Sequence, residues 1–326
     1  MKAIPGTSSF ALGLAAAAAL AAVAPRWGSP DGPLPVAFLG LAGVFLIFFN
    51  QGVTLPREAL RRGALEWRLH GCVQGTTYLM FPLLTGLGLW LGAPWFEQPE
   101  LRRGFLYLAF LPTTVASAVA LTALARGNVA GALFNCTLSS LIGVLLVPPL
   151  CVIFLGAGSA GGAGALGGMF GRIALTILLP LVLGQLARRW LNAPFARHPA
   201  AVRRTNAGVI LFIVWSAFCE SFTRGVWRAV GWADLGMTVG GVAALLAATG
   251  GWLWWVSARL ALPHESRITA FFCGTQKSVA VGLPLSAMIF TTGGTALSLL
   301  LLPLLLYHAI QLVVGGWLVP VLSRPG

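Results

Sequence analysis

Read for hydrophobic and polar positions, the chain is a succession of long apolar runs separated by short polar gaps. The runs fall near residues 9–24, 34–54, 69–93, 104–124, 129–155, 169–187, 206–223, 231–258, 268–290 and 295–321. Each has about the length that a helix needs to cross roughly 30 Å of hydrocarbon. None shows the strict alternation of a barrel strand, and lipid cannot satisfy open backbone groups, so the runs are predicted to be helices. The expected fold class is an all-α polytopic membrane protein of about ten transmembrane helices.

Two runs are interrupted. The fourth reads Phe110, Leu111, Pro112, Thr113, Thr114, Val115, Ala116, Ser117, and the ninth reads Phe272, Cys273, Gly274, Thr275, Gln276, Lys277, Ser278. Both carry Thr-x-x-Ser. Pro112 weakens one helix, and Gly274, Gly282 and Pro284 weaken the other. Paired broken helices at corresponding places in two halves of a chain point to a solute site, because unwound backbone offers carbonyls and amides at mid-membrane. The competing reading is that small and hydroxyl residues let helices pack closely. Lys277 lies too far inside its run to snorkel to an interface. A charge at that depth costs on the order of 3 kcal/mol, so it must face the protein interior and find partners, as part of a site or as a clamp between the broken helices. Gln276, the hydroxyls of the fourth helix, Asn135 and Glu220 are the candidates. Glu220 closes the seventh run four residues before Arg224, and serves equally as a pathway carboxylate or an interfacial ion pair. His308 and Gln311, about one turn apart in the tenth run, are read as structural polar contacts.

Composition agrees with a lipid-facing surface: 57% of residues are hydrophobic and 9% charged. A formal charge of +13 could suggest nucleic acid, but the basic residues sit in the gaps between apolar runs, which is the pattern that orients membrane helices. Nucleic acid is therefore excluded as a partner, and the lipid bilayer takes its place. Placing the amino terminus in the cytoplasm puts Lys2, Arg57, Arg61, Arg62, Arg68, Arg126, Arg188, Arg189, Arg197, Arg203, Arg204, Arg259, Arg267 and Arg324 inside. Only Arg26, Arg102, Arg103, Arg172, Arg224 and Arg228 then fall outside. Both termini are expected in the cytoplasm of a cell with this protein in its inner membrane. Lys2 and the Ala-rich run ending near Ala22 and Pro25 also have the form of a secretory signal, but a retained first helix is the expectation.

The Gly- and Ala-rich stretch 156–171 divides the chain into halves at 1–155 and 172–326. Five helices on each side of an exterior linker give the halves opposite orientations, the arithmetic of an inverted repeat. Five cysteines are scattered singly without metal-binding spacing, so no metal or cofactor is expected. No HExxH, GxSxG, P-loop or intramembrane carboxylate pair points to an enzyme.

The sequence resembles the bile acid:sodium symporter superfamily, particularly its SBF-like branch. The resemblance rests on Phe48, Phe49, Asn50, Gln51, Gly52, Val53 and Thr54, on Leu69, His70, Gly71, Cys72, Val73 and Gln74, and on Ala125, Arg126, Gly127 and Asn128. Its most specific segment runs from Phe272 to Pro284. It implies ten helices in two inverted five-helix repeats, a panel beside a core, helices four and nine crossing where they unwind, and organic anions as substrates. In the sodium-coupled branch the ninth-helix motif resembles Glu-x-x-x-Gln-Asn-Ser. In this chain Phe272 stands at the carboxylate position and Lys277 at the Asn, while Ala118 replaces an amide expected after Ser117. Sodium sites of the usual kind are therefore not expected, and coupling to protons through Lys277 is the alternative.

The expectation is thus a secondary transporter of a small organic anion working by alternating access. Its predicted pathway residues are Thr113, Thr114, Ser117, Asn135, Glu220, Thr275, Gln276, Lys277 and Ser278. A membrane regulator or scaffold and an intramembrane enzyme are the alternatives.

Overall fold

In the computed structural model, residues 7–54, 65–92, 97–156, 162–225, 228, 230–290 and 296–323 are described. Helix covers the apolar runs. The first two carry α1 (Thr7–Val23) and α2 (Val36–Thr54), and the third carries α3 (Trp67–Gly75), a π turn at Thr76–Met80 and α4 (Phe81–Gly92). The fourth is split into α5 (Pro99–Phe110) and α6 (Val115–Leu124). α7 (Val129–Leu155), α8 (Gly162–Arg197), α9 (Pro199–Thr223) and α10 (Trp232–Arg259) follow as single rods. The ninth run is split into α11 (His264–Thr275) and α12 (Val279–Ile289), and α13 (Leu297–Leu322) ends the fold. Among the described residues there is no strand, only one isolated antiparallel bridge between Thr113 and Lys277. α8 begins at Gly162, inside the Gly- and Ala-rich segment, and residues 157–161 lie outside the described set.

Five helices, α2, α7, α9, α10 and α13, are each long and apolar enough to cross a membrane. Their outer faces remain apolar: Leu145, Ile153, Val239, Val313 and Trp317 are all exposed. So large an apolar surface is stable only against lipid.

The helices pack in two groups. α1 lies on α9 and α2 lies on α8 and α9. The second group forms around the broken helices, with α5 on α13, α10 on α11 and α13, and α6 on α7. Contacts of α12 with α9 and α2 join the groups. Lipid supplies no hydrophobic force between helices, so association depends on close fit and interhelical hydrogen bonds. Gly52 and Gly184 provide the fit between α2 and α8. A Cβ on Gly52 would meet the Leu181 carbonyl oxygen at 2.2 Å, and one on Gly184 would meet that of Phe49 at 2.2 Å. Asn50 adds a hydrogen bond from its Nδ2 to Oδ1 of Asn206 on α9, 2.8 Å long. Gly184→Val is expected to force α2 and α8 apart and to cost about 1–3 kcal/mol, read as a lower thermal midpoint of the purified protein.

Pro112 breaks the fourth run as expected, since Leu111 before it is held extended at φ −69°, ψ 146°. The ninth run does not unwind at Gly274, Gly282 or Pro284. Those residues stay within α11 and α12, and the break falls at Gln276, Lys277 and Ser278. Gly274 and Gly282 instead admit neighbours, with Leu253 and Leu111 carbons 2.7 and 2.6 Å from where a Cβ would stand. The break is made by hydrogen bonds that compete with the helix.

Candidate functional site

The two breaks cross. The Ser278 N–H donates to the Pro112 carbonyl at 2.9 Å, joining the extended segments like a one-rung ladder. α13 supplies the missing side of that ladder. The Lys277 N–H donates to Oε1 of Gln311 at 2.7 Å, and Nε2 of Gln311 donates to the Lys277 carbonyl at 3.0 Å. One amide thus replaces the two helical bonds that Lys277 gives up. Nδ1 of His308 lies 2.9 Å from Nε2 of Gln311 and orients it. Ser278 caps α12, its hydroxyl accepting from the Val281 N–H. The Thr275 carbonyl at the end of α11 accepts from the Tyr307 hydroxyl at 2.8 Å, and the Cys273 carbonyl accepts from the Thr113 hydroxyl at 2.6 Å. The Tyr107 hydroxyl donates to the Gly282 carbonyl.

The Lys277 side chain has no accessible surface. Its Nζ donates to three main-chain carbonyls, Thr77 at 3.2 Å, Ala109 at 3.0 Å and Leu111 at 2.9 Å. The ring of Phe81 is centred 4.1 Å from it. An ammonium has three N–H donors, and all three are used. Each carbonyl is available for a local reason. At the π turn the Phe81 N–H reaches back five residues to Thr76, and Pro82, next in that register, has no N–H for Thr77. Ala109 would take the Thr113 N–H in a continued helix, but that group donates to the Ser139 hydroxyl at 3.0 Å. Leu111 lies beyond the end of α5, where helical carbonyls are orphaned and the dipole is negative. The amine therefore caps the carboxyl end of α5 from the opposite half of the chain.

Of the predicted residues, the structure gathers Thr113, Ser117, Thr275, Gln276, Lys277 and Ser278. The Ser117 hydroxyl donates to Oε1 of Gln276 at 2.8 Å, and Nε2 of Gln276 reaches the Gln311 carbonyl at 3.3 Å. Thr114 is buried beside them at the start of α6 and makes no side-chain cap. Asn135 lies one turn from Ser139 on α7 but bonds to its own helix, with Nδ2 on the Gly131 carbonyl at 2.9 Å, and to Gln74 of α3. Glu220 is not brought to the crossing. It pairs with Arg224 at 2.7 Å near the end of α9, both side chains being partly exposed. The amine's partners are carbonyls rather than the hydroxyls, Asn135 or Glu220 foreseen from sequence. Gln311, Tyr307, Tyr107, Ser139 and Thr77 were not singled out as site residues. A Gln one turn from a His in an apolar run was a usable signal; carbonyls leave none.

The positions of the absent carboxylate and amide are filled with apolar contacts. Phe272 is fully buried with Leu121, Ala125 and Ile268, and Ala118 with Leu69, Val73 and Leu253. Among the described residues no group of His, Cys, Asp and Glu could hold a metal ion.

Crossed broken helices around a buried cation are a transporter's architecture, and the comparison with known proteins agrees. Residues 8–324 match the SBF-like CPA transporter family. The chain belongs to that family. Among relatives of this SBF-like transporter, the Putative symporter YfeH of Escherichia coli is 38% identical over 276 residues, 85% of this chain and 81% of that protein. Uncharacterized protein PA2026 of Pseudomonas aeruginosa is 41% identical, covering 83% of this chain and 80% of its own. Sodium/bile acid cotransporter 7 of Danio rerio is 30% identical, covering 95% and 92%. The protein thus belongs to a membrane transporter family whose members include a sodium/bile acid cotransporter, and five of its helices are long and apolar enough to cross a membrane.

Proposed function

We propose that this SBF-like transporter carries a small organic anion by alternating access around the crossing, without sodium. The observation that carries the reading is the buried Lys277 amine, coordinated by carbonyls, at the place where the broken helices meet. A positive charge with no carboxylate partner attracts an anion. Among the described residues both salt bridges, Arg103 with Glu100 and Arg224 with Glu220, lie elsewhere. The start of α6 adds to this, because Thr114 leaves that helix end without a side-chain cap and helix amino ends favour carboxylates.

Ten membrane crossings in two inverted halves, 1–155 and 172–326 joined by 156–171, suit this mechanism. The packing of α1 on α9 and of α2 on α8 supports the inversion, since exchanging the halves exchanges these pairs. The orientation follows from the basic residues, with both termini in the cytoplasm and the protein in the inner membrane.

Sodium independence follows from electrostatics. A sodium ion about 4 Å from the ammonium would be repelled by about 4 kcal/mol at an effective dielectric near 20, and Phe272 offers no charge to offset it. We read Lys277 as a fixed cation rather than a proton carrier, because three carbonyls accept from it and only the ammonium has three hydrogens to give. Uptake of a panel of carboxylates into proteoliposomes tests this. Flux is expected above empty vesicles, unchanged when choline replaces sodium and insensitive to an imposed pH gradient. Strict sodium dependence would overturn the fixed-cation reading, a response to the pH gradient would restore proton coupling, and no flux of any anion would remove the transport assignment.

A further inference from the structure

The three carbonyls around the Lys277 amine form a cradle that does not depend on the lysine for its existence. Pro82 and the π turn release the Thr77 carbonyl, Ser139 draws away the Thr113 N–H that Ala109 would otherwise receive, and the break after α5 exposes Leu111. None of these causes involves the side chain of residue 277. The three oxygens converge on one point at 2.9–3.2 Å, with the Phe81 ring centred 4.1 Å from the same point. Without a donor there, three buried carbonyls would lack partners.

We infer that the cradle is a binding site for a primary ammonium group, filled in this protein by its own tethered amine, and that it accepts a free primary alkylammonium ion once that side chain is shortened. The chemistry selects the class. Three acceptors at hydrogen-bond length require a cation with three N–H donors. A quaternary ammonium has the charge and suits the ring face, but leaves the carbonyls unpaired. A calcium ion sits closer to oxygen, at about 2.3–2.6 Å, than the 2.9–3.2 Å this cradle presents. The stem of the ligand would take the path of the excised side chain, which makes propylammonium the matching probe. The inference deepens the transport reading at the same centre, but binding is measured without transport, so either can fail alone.

The experiment is thermal unfolding of purified Lys277→Ala in propylammonium chloride and in tetramethylammonium chloride at equal ionic strength. The midpoint is expected to rise saturably with propylammonium and to stay level with tetramethylammonium. Wild-type protein should respond alike to the two salts, and so should Lys277→Met, whose unbranched side chain still blocks the path. An equal response of Lys277→Ala to both salts, or the same difference in wild type, overturns the proposal. Should Lys277→Ala be too unstable to purify without ligand, its yield in the two salts becomes the readout: a higher yield in propylammonium supports the site and equal yields overturn it.

Discussion

Lys277→Met is expected to abolish anion flux and to lower stability on the order of 3 kcal/mol. The substitution keeps the unbranched stem and vacates only the space of the ammonium group, so what is lost is the charge and its three donors. Each buried carbonyl left without a partner costs roughly 1–3 kcal/mol, partly offset because an expensive buried charge is also removed. Thr77, Ala109 and Leu111 all lose their partner together. Two measurements separate the consequences: the thermal midpoint in detergent reports the carbonyls, and carboxylate uptake into vesicles reports the charge. Lys277→Arg is a useful control, since its larger planar fork cannot place three hydrogens where a compact ammonium does, and it should recover charge without recovering the midpoint. Full activity in Lys277→Met would remove the amine from the mechanism.

Gln311→Leu is expected to be nearly as damaging, although Gln311 carries no charge. Its amide supplies both hydrogen bonds that hold the Lys277 backbone extended, at 2.7 and 3.0 Å. Leucine fills similar volume and leaves a buried N–H and C=O unpaired, a cost of about 2–6 kcal/mol at the usual rate per group. Lys277 would then be free to rejoin the helical register of α11 or α12, carrying its amine away from the cradle. Flux should fall more than tenfold, since about 1.4 kcal/mol already corresponds to a factor of ten. Gln311→Glu retains the acceptor for the Lys277 N–H but loses the donor to its carbonyl, and should fall between Gln311→Leu and wild type. A wild-type rate in Gln311→Leu would show that the crossing holds its shape without α13.

The depth of Lys277, the break at Pro112 and the clustering of Thr113, Ser117, Gln276 and Ser278 were all legible in the sequence. The location of the second break was not. Glycine and proline mark where a helix is weak, but Gly274 and Gly282 serve close packing against Leu253 and Leu111. Unwinding occurs where competing partners are strongest, at residues bonded to Pro112 and Gln311. For Glu220 the sequence left two readings open, a pathway carboxylate or a partner of the nearest arginine, and the structure shows the pair with Arg224.

Residue types and run lengths are enough to require a lipid surrounding, helical apolar runs, and a buried lysine that has partners. Those conclusions need only the cost of exposing backbone or charge to hydrocarbon, a property of residue type and run length. Which groups those partners are depends on how the helices pack. They are main-chain carbonyls, which every residue possesses and no sequence position advertises. One of them, that of Thr77, lies 200 residues from the lysine it serves. The carbonyls become distinctive only when a π turn, a proline and a serine on a neighbouring helix withdraw their usual donors, and those withdrawals exist only once the helices are packed.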